Sequence, residues 1–184
     1  MGMNIAVIAG GTSTERDVSI SSGKLICASL RRNGHNANMI DVFLGSDKYD
    51  NVQDFFNDKN DLEELASELG KMSPKIKEIE TERKEKSEGF FGPMVLDVCK
   101  AADIVYIGLH GSNGEDGKIQ AAFDLFGIKY TGTDYLSSAI SMDKHLTKKM
   151  LATEGVPVPK GITLKKGHKL EYVPFPCVVK PCCG

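Results

Sequence analysis

The run Asn4-Ile5-Ala6-Val7-Ile8-Ala9 closes on Gly10-Gly11. A short apolar run bounded by glycines reads as a buried strand. From Glu15 to Arg32 the pattern is a turn and a helix. Val18, Leu25, Ile26, Ala28 and Leu30 are expected to supply its buried side, and Asn33-Gly34 to end it. Asn36 to Val42 reads as a second strand. Strand, helix, strand in this order implies parallel pairing, because parallel neighbours need a crossover between them. The opening therefore commits the chain to the α/β class, with a parallel sheet flanked by helices.

Residues 44–92 break this rhythm. Leu62, Leu65, Leu69 and Met72 recur at helical spacing, and Ser73-Pro74 has the form of a capped helix start. Lys75 to Glu88 is dense in Lys and Glu and reads as a solvated helix or a disordered excursion without catalytic role. Regular patterning resumes with a helix over Met94 to Ala101, a strand over Asp103 to Leu109, a short strand Lys129-Tyr130-Thr131, and helices over 134–139 and 144–154. Val156-Pro157-Val158-Pro159 cannot continue a helix. Pro176 to Lys180 reads as one more strand. A lone strand is unstable, so either Ile162 to Leu164 pairs with it or the chain is a fragment of a longer protein. The second is the expectation.

The 184 residues carry a formal net charge of -2, without the basic excess of a nucleic-acid binder. No apolar stretch is long enough to span a bilayer, and Asn4 enters a strand with no signal-peptide pattern before it. The expected location is the cytoplasm. The five cysteines, Cys27, Cys99, Cys177, Cys182 and Cys183, contain no Cys-x-x-Cys pair. That spacing argues against a disulfide framework or a zinc site. Adjacent Cys182 and Cys183 offer soft ligands but are expected to lie reduced and metal-free.

Two turns carry chemistry. Gly10 to Arg16 opens the first helix, where backbone N–H groups favour an anion. Its spacing is neither Gly-x-Gly-x-x-Gly nor a Walker loop. Glu15 at that helix start either stabilises the helix dipole or anchors a substrate ammonium. The second turn, His110 to Gln120, lies at the carboxyl end of a strand, where open α/β sheets bind ligands. Its glycines allow close backbone approach. His110 can donate to a carboxylate or phosphate, or be satisfied locally. Asp116 reads as a helix cap and Glu115 as the partner of an Arg or Lys. Further on, Asp143 reads as a cap and Lys144 as a surface lysine. Lys180 closes an apolar strand from a semi-buried position, where an ammonium calls for an anion such as phosphate.

In order along the chain, Gly10-Gly11-Thr12-Ser13-Thr14-Glu15-Arg16-Asp17-Val18-Ser19, His110 to Ala121, Tyr130-Thr131-Gly132, Ser141-Met142-Asp143-Lys144 and Val179-Lys180-Pro181 resemble D-alanine–D-alanine ligases, which are ATP-grasp enzymes. The resemblance implies a Rossmann-like (pre-ATP-grasp) substrate domain over 1–135, with 44–92 as an excursion. Linker helices and the beginning of an ATP-grasp domain follow over 136–184. It implies ATP-dependent joining of two D-alanines through an acyl phosphate, for peptidoglycan precursors, with ATP and Mg²⁺ as cofactors. On the same resemblance Glu15 is the catalytic-site residue that holds the ammonium of the first D-alanine. Val18 and His110 lie beside that substrate, and Lys144 and Lys180 contact ATP phosphates. No metal ligand is assigned within the chain; the Mg²⁺ carboxylates and the phosphate loop are expected downstream. The chain alone is expected to be inactive, and a homodimer through the N-terminal domain is expected. The alternatives are a ligase making D-alanine–D-lactate or D-alanine–D-serine, an oxidoreductase nucleotide domain with Asp41 as its ribose acid, and a non-catalytic binding or assembly domain.

Overall fold

The computed structural model describes all residues except 1, 60, 63, 65–66, 68–75, 85–88, 168, 170–174 and 184. The elements run β1 (Asn4–Ala9), α1 (Arg16–Arg32), β2 (Asn36–Asp41), α2 (Val52–Asn57), α3 (Ile76–Lys84), α4 (Val95–Ala101), β3 (Ile104–Ile107), α5 (Lys118–Phe126), α6 (Tyr135–Met142) and α7 (Lys144–Thr153). The strands form a parallel sheet in the order β2-β1-β3. Asn4 pairs with Asn36 and Ala9 with Asp41 on one side of β1, and Ile5 pairs with Ile104 on the other. The expected strand at 129–131 is a single parallel bridge from Tyr130 to Val105 on the outer edge of β3.

Side chains of β1 alternate between two cores, as the pleat requires. Ile5, Val7 and Ala9 face α1, with Ile20, Cys27 and Met39. Ala6 and Ile8 face the larger core, with Phe55, Phe56, Ile79, Val95, Val98, Phe123 and Val105. Both faces of the sheet are thus covered, which is why β1 reads as a continuous apolar run.

Three expectations are corrected. The inner face of α1 consists of Arg16, Ser19, Ile20, Gly23 and Cys27, whereas Val18 and Leu25 are exposed. The helix approaches the sheet so closely that a Cβ on Gly23 would stand 2.9 Å from both the Ala9 Cβ and the Met39 Sδ. Small residues serve there better than Val or Leu. Secondly, segment 44–92 is no mere excursion. Phe55, Phe56 and Ile79 are core residues, and the Arg83 side chain is buried over the Phe43 ring, with its guanidinium 4.7 Å from the ring centre. Arg83 donates to the Phe43 and Phe91 carbonyls, which replace the water its charge gives up. Leu65, Leu69, Met72 and Ser73-Pro74 lie outside the described residues. Thirdly, neither 176–180 nor 162–164 is a strand; both are exposed and irregular. Pro176 and Pro181 remove donors, and among the described residues no neighbouring strand supplies partners for the rest.

Candidate functional site

β1 and β3 emerge side by side, with the Gly108 N–H donating to the Ile8 carbonyl at 2.9 Å. Ser19, buried on α1, ties both exits together. Its hydroxyl donates to the Gly108 carbonyl at 2.7 Å and accepts from the Gly10 N–H at 3.0 Å. Beside it Arg16 pairs with Asp41 in full burial and donates to the Gly11 carbonyl at 2.8 Å. The Asp41 Oδ1 accepts from the backbone of Phe43 and Leu44 at 2.8 and 2.9 Å. Asp41 therefore offers no carboxylate to a ribose, and the oxidoreductase alternative loses the residue it depends on. The N–H groups of Gly10, Glu15 and Arg16 are also taken internally, by Ser19, the Ser13 hydroxyl and the Ser13 carbonyl. An anion at the glycine turn would find those donors already engaged.

On this support Glu15 stands exposed at the N-cap position of α1, with no capping bond from its own side chain. Gly111, at φ 70°, lies against it: a Cβ there would stand 2.5 Å from the Ser13 Oγ and 3.1 Å from the Glu15 Oε2. Glycine is thus required for the two turns to meet. His110 leans over α1, its Nε2 3.4 Å from the Ser22 Oγ and its Nδ1 3.8 Å from the Glu115 Oε1. Glu15, Val18 and Ser22 follow helical spacing and share one stripe of α1. The structure therefore sets the turn that carries the expected His110 against the stripe of α1 that carries the expected Glu15 and Val18. It adds Ser22 and the supporting Ser19 and Arg16, which sequence reasoning missed. The signal was there: polar residues at positions four and seven after Glu15, inside a helix, where a solvated face alone does not ask for them.

The loop is self-held. Glu115 accepts from the Gly111 N–H at 3.0 Å, in place of the expected Arg or Lys partner. Asp116 accepts from the Lys118 ammonium at 2.7 Å, but Gly117 occupies the cap position of α5. Burial pushes the Asp116 carboxyl up, and hydrogen bonds from Lys118 and Asn113 outweigh it, leaving the group below its ordinary value. Gly117, at φ 85°, lets α6 approach: a Cβ there would stand 2.2 Å from the Tyr135 carbonyl oxygen. The two lysines lie apart from this cluster in the chain. Lys144 opens α7 behind its cap Asp143, whose Oδ1 accepts from the backbone of His145 and Leu146 at 2.9 and 3.0 Å. Lys180 is exposed rather than semi-buried. Its segment then returns to α7, where the Lys144 N–H donates to the Cys182 carbonyl at 3.0 Å.

The Glu15 carboxylate, the Ser22 hydroxyl and the His110 imidazole, with Val18 on the same stripe of α1, are groups that suit a small zwitterion. The carboxylate can take an ammonium, and the imidazole and hydroxyl can donate to an acid group. Magnesium finds no such match. Among the described residues, one group of His, Cys, Asp and Glu ligand atoms lies within 4.8 Å of one another, namely Asp143, Cys182 and Cys183. Mg²⁺ takes oxygen ligands, and two thiols do not fit it.

Fold and geometry together define a parallel α/β domain in which the start of α1 meets the turn after β3. Residues 4–133 match the D-ala D-ala ligase N-terminus family, and the chain belongs to that family. It is 43% identical to the D-alanine–D-alanine ligase of Lacticaseibacillus casei (strain BL23) over 187 residues, covering 99% of this chain and 52% of that protein. It is 32% identical to the ligase of Anaplasma centrale over 185 residues, covering 99% of this chain and 67% of that one. The crystal structure of the Bacillus anthracis ligase complexed with ATP matches with a TM-score of 0.59 and 28% identity, over 92% of this chain and 43% of that one. The Coxiella burnetii ligase matches with a TM-score of 0.59 and 27% identity, over 92% and 47%. The chain spans about half the length of the first of these relatives.

Proposed function

We propose that this chain is the substrate-side part of an ATP-dependent D-alanine–D-alanine ligase acting in the cytoplasm on peptidoglycan precursors. The reading rests on family membership and on one observation, the approach of the turn after β3 to the start of α1, with Gly111 against Glu15 and His110 against Ser22. In it, Glu15 holds the ammonium of the first D-alanine, Val18 meets its methyl group, and His110 donates to its carboxylate side. That carboxylate takes the γ-phosphoryl group of ATP to become an acyl phosphate. The amine of a second D-alanine then attacks the acyl carbon, and inorganic phosphate leaves. Lys144 and Lys180 offset the charge of the ATP phosphates, the electrostatic task on which phosphoryl transfer depends. Residues 1–135 form the substrate domain and 136–184 begin the ATP-binding domain, the boundary falling at the first turn of α6. A homodimer through the N-terminal domain belongs to the same reading. So does the inactivity of these 184 residues alone, given that the first of these relatives is about twice as long.

D-Alanine titrated into the chain is expected to shift the His110 ring and Val18 methyl resonances, and Glu15→Gln to abolish the shifts. In the full-length enzyme Glu15→Gln is expected to raise the KM for D-alanine about ten- to a hundredfold, the cost of losing a charged hydrogen bond. An unchanged D-alanine KM would overturn the assignment. A coupled ADP-release assay showing turnover by the 184 residues alone would overturn the proposed inactivity.

A further inference from the structure

The cysteines near Lys180 are not absorbed by the ligase reading, and the fold gives them a neighbour that sequence spacing does not reveal. Cys183 forms an antiparallel bridge with Asp143, and the Lys144 N–H donates to the Cys182 carbonyl at 3.0 Å. That bridge, of which the Lys144–Cys182 bond is part, holds the Cys182-Cys183 turn against the start of α7. The Cys182 Sγ donates to the Asp143 Oδ1 at 3.4 Å. The ligand atoms of Asp143, Cys182 and Cys183 all lie within 4.8 Å of one another. Asp143 is held in place by its own capping bonds to His145 and Leu146, so one ligand is already oriented.

We propose that Asp143, Cys182 and Cys183 form a binding site for a borderline-soft divalent cation of the Zn²⁺ class. Two thiolates and one carboxylate are a donor set for zinc rather than for magnesium or calcium. Around a tetrahedral Zn²⁺ with Zn–S bonds of about 2.3 Å the sulfurs stand roughly 3.8 Å apart. The present arrangement therefore needs to contract by no more than about an ångström. Both cysteines are exposed and Asp143 is half-buried, and among the described residues three ligands stand together, leaving a fourth position to water or a ligand oxygen. On binding, each thiol gives its proton to solvent as the metal–sulfur bond forms, and no electron is transferred. An occupied site would clamp the 180–183 segment onto the first residue of α7, coupling metal binding to the spacing of Lys144 and Lys180.

The test is titration of Co²⁺, as a spectroscopic stand-in, into the reduced 184-residue chain, followed by displacement with Zn²⁺. The expected result is one Co²⁺ per chain, with thiolate-to-cobalt charge-transfer absorption and tetrahedral d–d bands. Cys182→Ser and Cys183→Ser should each weaken binding at least tenfold. Asp143→Asn, which keeps a capping oxygen, should weaken it while leaving the circular dichroism of the helices unchanged. Cys177→Ser, exposed in the same segment, should bind as wild type. Absence of the charge-transfer band, one metal per two chains, or an equal loss with Cys177→Ser would each overturn the site. None of these readouts depends on ligase activity.

Discussion

The Arg16 guanidinium, enclosed away from water, pairs with the Asp41 carboxylate. The pair does not close perfectly: among the described residues the Arg16 Nε and Nη2 atoms have no hydrogen-bond partner. Such pairs add little net stability, but removing one partner strands the other charge. Arg16→Met is accordingly expected to destabilise the domain by about 3–5 kcal/mol, read from urea denaturation. A change under 1 kcal/mol would mean that water already reaches Asp41. Thiols show the opposite strategy, burial without charge. Burial pushes Cys27 up to about 11 and Cys99 to about 12, so both stay protonated and unreactive at neutral pH. In the native, metal-free chain a thiol reagent should modify three cysteines, Cys177, Cys182 and Cys183, and reach the other two only after unfolding. Rapid native labelling of Cys99 would contradict the packing around α4.

At the scale of elements, capping decides where α6 and α7 begin. Asp134 accepts from the Leu136 and Ser137 N–H groups, both at 2.9 Å. These bonds, the Ser137 backbone donor foremost, hold its carboxyl below the ordinary 3.8. A carboxyl depressed by folding contributes stability above its unfolded value and loses it as pH falls through the folded one. Asp134→Ala should therefore lower the melting temperature at pH 7, with the gap to wild type closing as pH drops below 3.8. A gap independent of pH would show that the charge is not what matters. The Asp143 cap, the stop at Asn33-Gly34 and the three strands of the sheet were legible in the sequence because each depends on local chemistry, whereas the Asp116 cap was not borne out. The buried face of α1 was not legible. Close approach to the sheet selects Ser19, Gly23 and Cys27 there, and hydropathy ranks Val18 and Leu25 above them. Glu15 and His110 were legible as chemistry-bearing residues, but their meeting across Gly111 is a tertiary fact. The expected strand at 176–180 failed for a related reason, since apolar content predicts burial only where a partner exists to provide it.

Across the whole molecule the larger core depends on the segment whose charge density disguised it. Rings meet within that core in two separate runs. Tyr49 meets Phe55 at 5.5 Å, Phe55 meets Phe56 at 5.2 Å, Phe91 stacks on Phe123 at 6.2 Å, and Phe123 leans on Tyr130 at 6.0 Å. Phe123 belongs to α5, which begins at the end of the His110 loop, so the 44–92 segment supports the wall of the site from behind the sheet. If the segment were a solvated excursion, truncating one of its rings would change stability by less than about 0.5 kcal/mol. With Phe56 fully enclosed, Phe56→Ala should instead cost about 3–5 kcal/mol through lost transfer energy and a residual cavity. Urea unfolding monitored by far-ultraviolet circular dichroism would measure it. The His110 ring resonance, followed through the same titration, should report the same midpoint. A small cost, or a His110 signal that persists after the helices unfold, would separate the segment from the site and overturn its place in the larger core.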